Sequence, residues 1–167
     1  TELGAIWDVI ERVRLMLSSG AMVDVRPGEV QVGYRFAALP EHSVVLGATV
    51  RAGCANPLDV REEVRQLYRC RRKRQPLSYP NAGSIFKNPP GEHAGHLIDQ
   101  LGLKGYRIGD AQVSVKHANF IVNCGQASVL DVLALIDYVK CQVLEHTGIL
   151  LEEEVRIVGE SKGDLTG

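Results

Sequence analysis

The sequence predicts an α+β chain in two parts, a β-rich first segment followed by a small α+β domain, and three observations carry that prediction. Short runs rich in Val, each bounded by Gly or Pro, fill residues 9–50. Near residue 57 the pattern changes to apolar residues at helical spacing. Beyond residue 92 helical and strand-like stretches interleave, with no internal repeat or low-complexity tract. A composition break near Pro76 divides the chain into segments 1–71 and 72–167.

In the first segment VIERVRLML, MVDV, EVQVGYR and SVVLGATV are expected to be strands, with a turn at Ser18-Ser19-Gly20 after the first. The alternation through Val9, Glu11, Val13, Arg14 and Leu15 is imperfect, so helix stays open for part of that run. In DVREEVRQLYRCRRKR, Val60, Val64 and Leu67 recur on one helical face. Asn56 is placed to cap that helix, Pro57 occupies its first position, and it must stop before Pro76. Its basic end, Arg69, Arg71, Arg72, Lys73 and Arg74, suits the negative end of the helix dipole. The same cluster would also make an electropositive wall for a diphosphate.

Residues 79–91, YPNAGSIFKNPPG, are expected to be a turn-rich loop. HAGHLIDQLGL then gives a short helix closed by Gly102, KGYRIGDAQVS a turn-rich stretch, and HANFIVNC a strand. The strongest helix is SVLDVLALIDYVKCQVLEHTG, started by Ser128 with Asp131 as a capping box and stopped by Gly148. Val129, Val132, Leu133, Ile136, Val139 and Val143 form its apolar side. ILLEEEVRIVG is expected to finish the domain as a strand.

The chain has 19 basic and 20 acidic residues, so no global field draws nucleic acid or an anionic membrane, and neither is expected as a partner. Any anion must be held locally. No apolar run reaches the ~18 residues of a membrane span and Thr1 opens no signal peptide; the four widely spaced cysteines are read as reduced thiols of a cytosolic chain. Cys54, Cys70, Cys124 and Cys141 lack metal-ligand spacing; they are expected to be reduced and mostly buried, with no metal site.

Dinucleotide-fold, P-loop and nucleophile-elbow motifs are absent. The remaining polar stretches each have an ordinary and a functional reading. In the loop, Asn81-Ala82-Gly83 lets a backbone come close to a ligand, Ser84 presents a hydroxyl, and Lys87 and Asn88 add a cation and an amide. A turn serine bonding its own backbone would look the same. Lys104, Lys116 and His117 are either exposed loop cations or a second polar cluster. Glu154 lies between apolar runs, where an inward-facing acid must be paired or protonated. Arg156 is two residues on and could make it an ordinary ion pair.

PNAGSIFKNPPG, AGHLIDQLGLKGYRIGDAQVSVKHANFIVN and LEEEVRIVGE, in that order, resemble the C-terminal substrate domain of the UDP-N-acetylenolpyruvoylglucosamine reductases, also called UDP-N-acetylmuramate dehydrogenases, in their compact type. QVGYRF resembles that family's Tyr-Arg motif, and TELGAIWDVIERV the start of the segment before it. The resemblance implies a partial flavin-domain segment over residues 1–71 and a UDP-sugar domain over residues 72–167, with the flavin-binding first third of the family lacking a counterpart. It implies a chemistry in which NADPH reduces FAD, and the flavin then passes hydride to the enolpyruvyl group of UDP-N-acetylglucosamine enolpyruvate, giving UDP-N-acetylmuramate for the bacterial cell wall.

By the same resemblance Ser84 protonates the neighbouring carbon, while Arg35 and Glu154 stabilise the enolate-like intermediate. Glu154 must then hold a proton, and Arg156 is expected to point elsewhere. Asn88, Lys104 and His117, with Lys87 and Arg72, are implied to contact substrate; the cofactor-binding residues are not identified. Ala37 and Glu153 depart from the family's usual Ser and Pro. A UDP-sugar-binding module without catalysis is the alternative for this chain.

Overall fold

A computed structural model describes residues 4–158. It separates into two compact units, Thr1–Val60 and Arg61–Gly167. That division lies ahead of the expected segment boundary at 71/72, and both fall within one helix.

In the first unit, β1 (Ile10–Met16) lies between β2 (Met22–Val25) and β5 (Val44–Val50) in an antiparallel sheet. The alternation in β1 sends Val13 and Leu15 into the interior and Arg12 and Arg14 to the other face. There Asp24 of β2 accepts from Arg12 Nη1 at 3.1 Å and Arg14 Nε at 2.9 Å. The run EVQVGYR is not one strand: a 3-10 turn covers Pro27–Glu29, and pairing is confined to β3 (Val32–Gly33) and β4 (Phe36–Ala37). These short strands make a tight hairpin with Tyr34 and Arg35 at its tip. Pro27 forces the break, since its fixed φ opens a helical turn and it has no N–H for a ladder.

Helix α1 (Pro57–Arg74) has the predicted bounds, and Asn56 Oδ1 accepts from Leu58 N at 2.9 Å. Its apolar stripe of Val60, Val64 and Leu67 is exposed.

The second unit is built on an antiparallel sheet ordered β6-β9-β8-β7, from β6 (Asn81–Ser84), β7 (Arg107–Ile108), β8 (Ala111–Val113) and β9 (Phe120–Asn123). The turn-rich KGYRIGDAQVS therefore contains a hairpin, turned at Gly109-Asp110, and the expected loop after Tyr79 opens as strand β6. Helix α3 (Val129–Thr147) covers the sheet, burying Leu135, Ile136, Val139 and Val143. Its capping box forms as read: Asp131 N donates to Ser128 Oγ at 3.1 Å and Ser128 N to Asp131 Oδ2 at 2.8 Å. Gly148 ends it at φ 71°, a conformation glycine adopts without strain. Helix α2 (Ala94–Gln100) contributes Ala94, Leu97 and Ile98 to the same core, which also takes Ile85 and Phe86.

Two further expectations fail. ILLEEEVRIVG is not a strand over its described residues; Glu153 makes an isolated bridge to Phe86 and Leu151 is buried. The segment is anchored on the short stretch after β6 instead of on a sheet edge, so its apolar residues are used singly. Gly159 lies outside the described residues. The cysteines are not mostly buried: Cys54, Cys70 and Cys141 are exposed and Cys124 is half-buried, all as free thiols. Cys54 and Cys70 sit on stretches with no buried side chain, and Cys141 faces away from the core side of α3.

Candidate functional site

β6 ends at Ser84, paired with Phe120 of β9, and the chain then buries Ile85 and Phe86 before reaching Lys87 and Asn88. The two apolar residues at the centre of the Gly- and Pro-rich stretch are the anchor that holds its polar residues in place. Ser84 and Asn88 emerge into a cleft of about 350 Å³. Lys104 and His117 line the same cleft, so four of the predicted residues converge from separate stretches of sequence.

Three of them are oriented by a bond. Asn88 Oδ1 accepts from Ala94 N at 3.1 Å, which satisfies the first amide of α2 and leaves the Asn88 NH₂ group as the part it can offer a ligand. Lys104 Nζ lies 2.5 Å from Asp99 Oδ2. His117 Nδ1 accepts from Asn119 N at 3.2 Å, which puts the proton of the neutral ring on Nε2. Burial, then the Lys104 charge, hold His117 below the ordinary value of 6.5. A Cβ on Gly95 would stand 3.1 Å from His117 Cε1, so glycine is what lets the first turn of α2 lie against this ring.

The other predicted residues are placed differently. Lys87 is half-buried and pairs with Glu152 of the C-terminal segment. Arg72 is exposed near the end of α1, where its carbonyl accepts from Lys116 Nζ at 2.8 Å; Lys116 is itself on the cleft wall. Glu154 is half-buried, and its N–H donates to Ile85 O at 2.8 Å, next to Ser84 in the chain. Arg35 belongs to the first unit, at φ 57° on the hairpin tip, with its guanidinium 5.6 Å from the Tyr34 ring centroid.

The cleft also contains residues that the sequence did not single out: His93, His96 and Asp99 of the α2 region, and Asn119. The spacing of His93 and His96 by three, across a helix start, was the available signal. With Lys104, Lys116 and His117 they give a cleft lined by two lysines and three imidazoles against a single carboxylate. Such a cleft is suited to a di-anionic ligand held locally, as the near-neutral chain requires. Among the described residues no group of His, Cys, Asp and Glu is arranged to hold a metal ion, and no helix is long and apolar enough to cross a membrane.

A separate cavity of about 270 Å³ lies on the first unit's sheet, lined by Arg12, Arg14, Leu46, Gly47, Ala48 and Thr49. Both guanidinium groups there already hold Asp24, and no aromatic ring lines it.

Comparison with known proteins gives one consistent relation. Residues 75–158 match the family model described as UDP-N-acetylenolpyruvoylglucosamine reductase, C-terminal domain. UDP-N-acetylenolpyruvoylglucosamine reductase 2 of Symbiobacterium thermophilum is 47% identical over 161 residues, covering 95% of this chain and 52% of that protein. The reductase of Thiobacillus denitrificans is 45% identical over 156 residues, covering 92% and 48%. The crystal structure of the Thermus caldophilus reductase superposes with a TM-score of 0.80 at 38% identity, covering 93% of this chain and 55% of that one. The chain thus spans about half the length of the curated relatives it matches.

Proposed function

The chain belongs to the UDP-N-acetylenolpyruvoylglucosamine reductase family, and on that premise we propose that its second unit is the substrate-holding and proton-donating part of such a reductase. The observation that carries the proposal is the convergence of Ser84, Asn88, Lys104 and His117 on one cation-lined cleft. UDP-N-acetylglucosamine enolpyruvate is the substrate, with its diphosphate held among Lys104, His117 and Lys116 and its polar sugar groups met by the Asn88 amide. Arg72 and Lys87 add positive charge beside the cleft. The relatives named are bacterial, which supports a role in cell-wall precursor synthesis in the bacterial cytoplasm.

The family's FAD and NADPH are assigned to the complete enzyme, where the reduced flavin supplies hydride to one carbon of the enolpyruvyl double bond. The cavity on the first unit does not fit a flavin dinucleotide, because its cations are engaged by Asp24 and it has no wall for the ring system.

What this chain contributes is the response to the charge left on the neighbouring carbon and its carboxylate. Ser84 gives its hydroxyl proton to that carbon, forming the second C–H bond. Arg35 and Glu154 stabilise the developing charge, Arg35 with a guanidinium that stays ionised. A serine is a weak acid in water, so it serves only if held within hydrogen-bond reach of the carbon, and the buried Ile85 and Phe86 next to it provide that rigidity.

The test is Ser84→Ala in the flavin-bearing enzyme. NADPH should still reduce the flavin at the parental rate while product formation falls by roughly 10² or more; unchanged turnover removes Ser84 from the role. A non-catalytic UDP-sugar module is the second reading, favoured by the lack of a flavin fit. Retained uridine diphosphate binding by the purified chain, without flavin absorbance or NADPH oxidation, would single it out.

A further inference from the structure

Asn119 is 5% exposed at the base of the cleft, and its side chain behaves as a piece of β-strand. Phe86 N donates to its Oδ1 at 2.9 Å, and its Nδ2 donates to Phe86 O at 2.8 Å. Its main chain works on both neighbours as well, accepting from Ile85 N at 2.9 Å and donating to His117 Nδ1 at 3.2 Å. On the other edge of the same ribbon, Lys87 N donates to Glu152 O and Glu154 N to Ile85 O, each at 2.8 Å. The stretch that carries Ser84 is thus a strand with two neighbours, one of which is a carboxamide.

The reason lies in the sheet. Register between β6 and β9 ends at Ser84 and Phe120, because the chain before Phe120 turns to bring His117 into the cleft. Phe86 is 2% exposed, and without Asn119 its N–H and carbonyl would be buried without partners. Asn presents an acceptor and a donor side by side on one short planar group, which is what a missing strand residue would have offered.

We propose that Asn119 is a positioning residue that sets where Ser84, Asn88 and His117 stand in the cleft. The proposal deepens the reading above and rests on the cleft taking a UDP sugar.

The test uses the chain with uridine diphosphate as probe and the variants Asn119→Asp and Asn119→Ala. Asp keeps the acceptor but supplies the donor only when protonated, and burial against the Phe86 carbonyl favours that form. Asn119→Asp should bind about tenfold more weakly than the parent near about pH 8.5 and regain affinity near about pH 5.5. Asn119→Ala should be weak at both. The ionisable groups of the cleft, His93, His96, Asp99, Lys104, Lys116 and His117, and Glu153 and Glu154 on the far edge, are the same in the parent, so the variant-to-parent ratio isolates position 119.

Affinity is followed on the folded protein through the NMR signals of Ser84 and His117, with melting temperature measured alongside. Lower melting temperature with unchanged affinity overturns the proposal and leaves the cleft reading standing. If the parent does not bind the probe, the cleft reading fails by itself, and the Asp variant still decides the role of Asn119. Its Ser84 and His117 signals should move between the two pH values beyond the parent's shift, and equal shifts overturn it. Should both variants fail to fold, amide exchange in the parent decides: Phe86 N–H must exchange as slowly as β9 amides, and fast exchange overturns the proposal.

Discussion

Arg35 sits at φ 57° in a two-residue hairpin tip where glycine would be unstrained. A bulky residue there costs roughly 1–2 kcal/mol, and such a cost at a proposed charge-stabilising position points to function over folding. Arg35→Gly should leave stability within about 1 kcal/mol, since relieved strain offsets the freer unfolded chain. Turnover of the flavin-bearing enzyme should fall by roughly 10²–10³. Urea melts and steady-state rates check this; a large stability loss with proportionate activity loss would make Arg35 a structural residue. His117 makes a pH statement. Its folded value is held below 6.5, so the unfolded chain takes up its proton first as pH falls, and this part of the stability, full above 6.5, is lost through the window just below it. His117→Gln should flatten the slope of the urea midpoint between about pH 5 and 7. An unchanged slope would contradict the burial argument. Neither effect was visible in the sequence, where Arg35 belonged to a run read as strand and His117 stood at the start of another.

At the scale of elements, the C-terminal segment is the least regular and the most consequential. Three consecutive glutamates leave α3 and face different ways: Glu152 pairs with Lys87, Glu153 with Lys140 of α3 at 2.6 Å, and Glu154 approaches the Ser84 ribbon through its main chain. The Lys140 ammonium holds Glu153 below the ordinary 4.5, mainly through its hydrogen bond. A depressed carboxylate value means stability that is present above 4.5 and lost as pH falls through the folded value. Both side chains are partly exposed, so Glu153→Gln should cost only about 0.5–1 kcal/mol at neutral pH. The gap to the parent should close below 4.5, as thermal melts across pH would record, and a gap that persists in acid would show that packing, not charge, is at stake. The sequence showed the acidic run but not its pairing, because Lys140 and Lys87 meet it only through the fold. By contrast α3 was legible to its ends, since its cap and stop are contacts within a few residues.

Across the whole molecule the units differ in how much core they own. The second packs Leu97, Ile98, Val113, Leu135 and Val139 into a continuous interior, while Val13, Leu15 and Val30 are the buried apolar residues described in the first. Fully burying each such side chain contributes about 1.5–3 kcal/mol, so the second unit should open far more rarely. Hydrogen exchange should find the slowest amides in β8, β9 and α3, and faster exchange throughout β5, whose Val44, Val45, Leu46 and Val50 are exposed. Uniform protection would sink this ordering. The amino-acid sequence by itself determined the α+β class, the three helices, the β-rich start and, through motif order, the family, because caps, periodicity and turn residues act over short distances along the chain. Only the tertiary structure decided that three cysteines face solvent, that ILLEEEVRIVG is not a strand, and that Asn119 and two more histidines share the cleft with Ser84. The shared cleft depends on the order β6-β9-β8-β7, which brings distant residues together, and no local preference encodes which of them will meet.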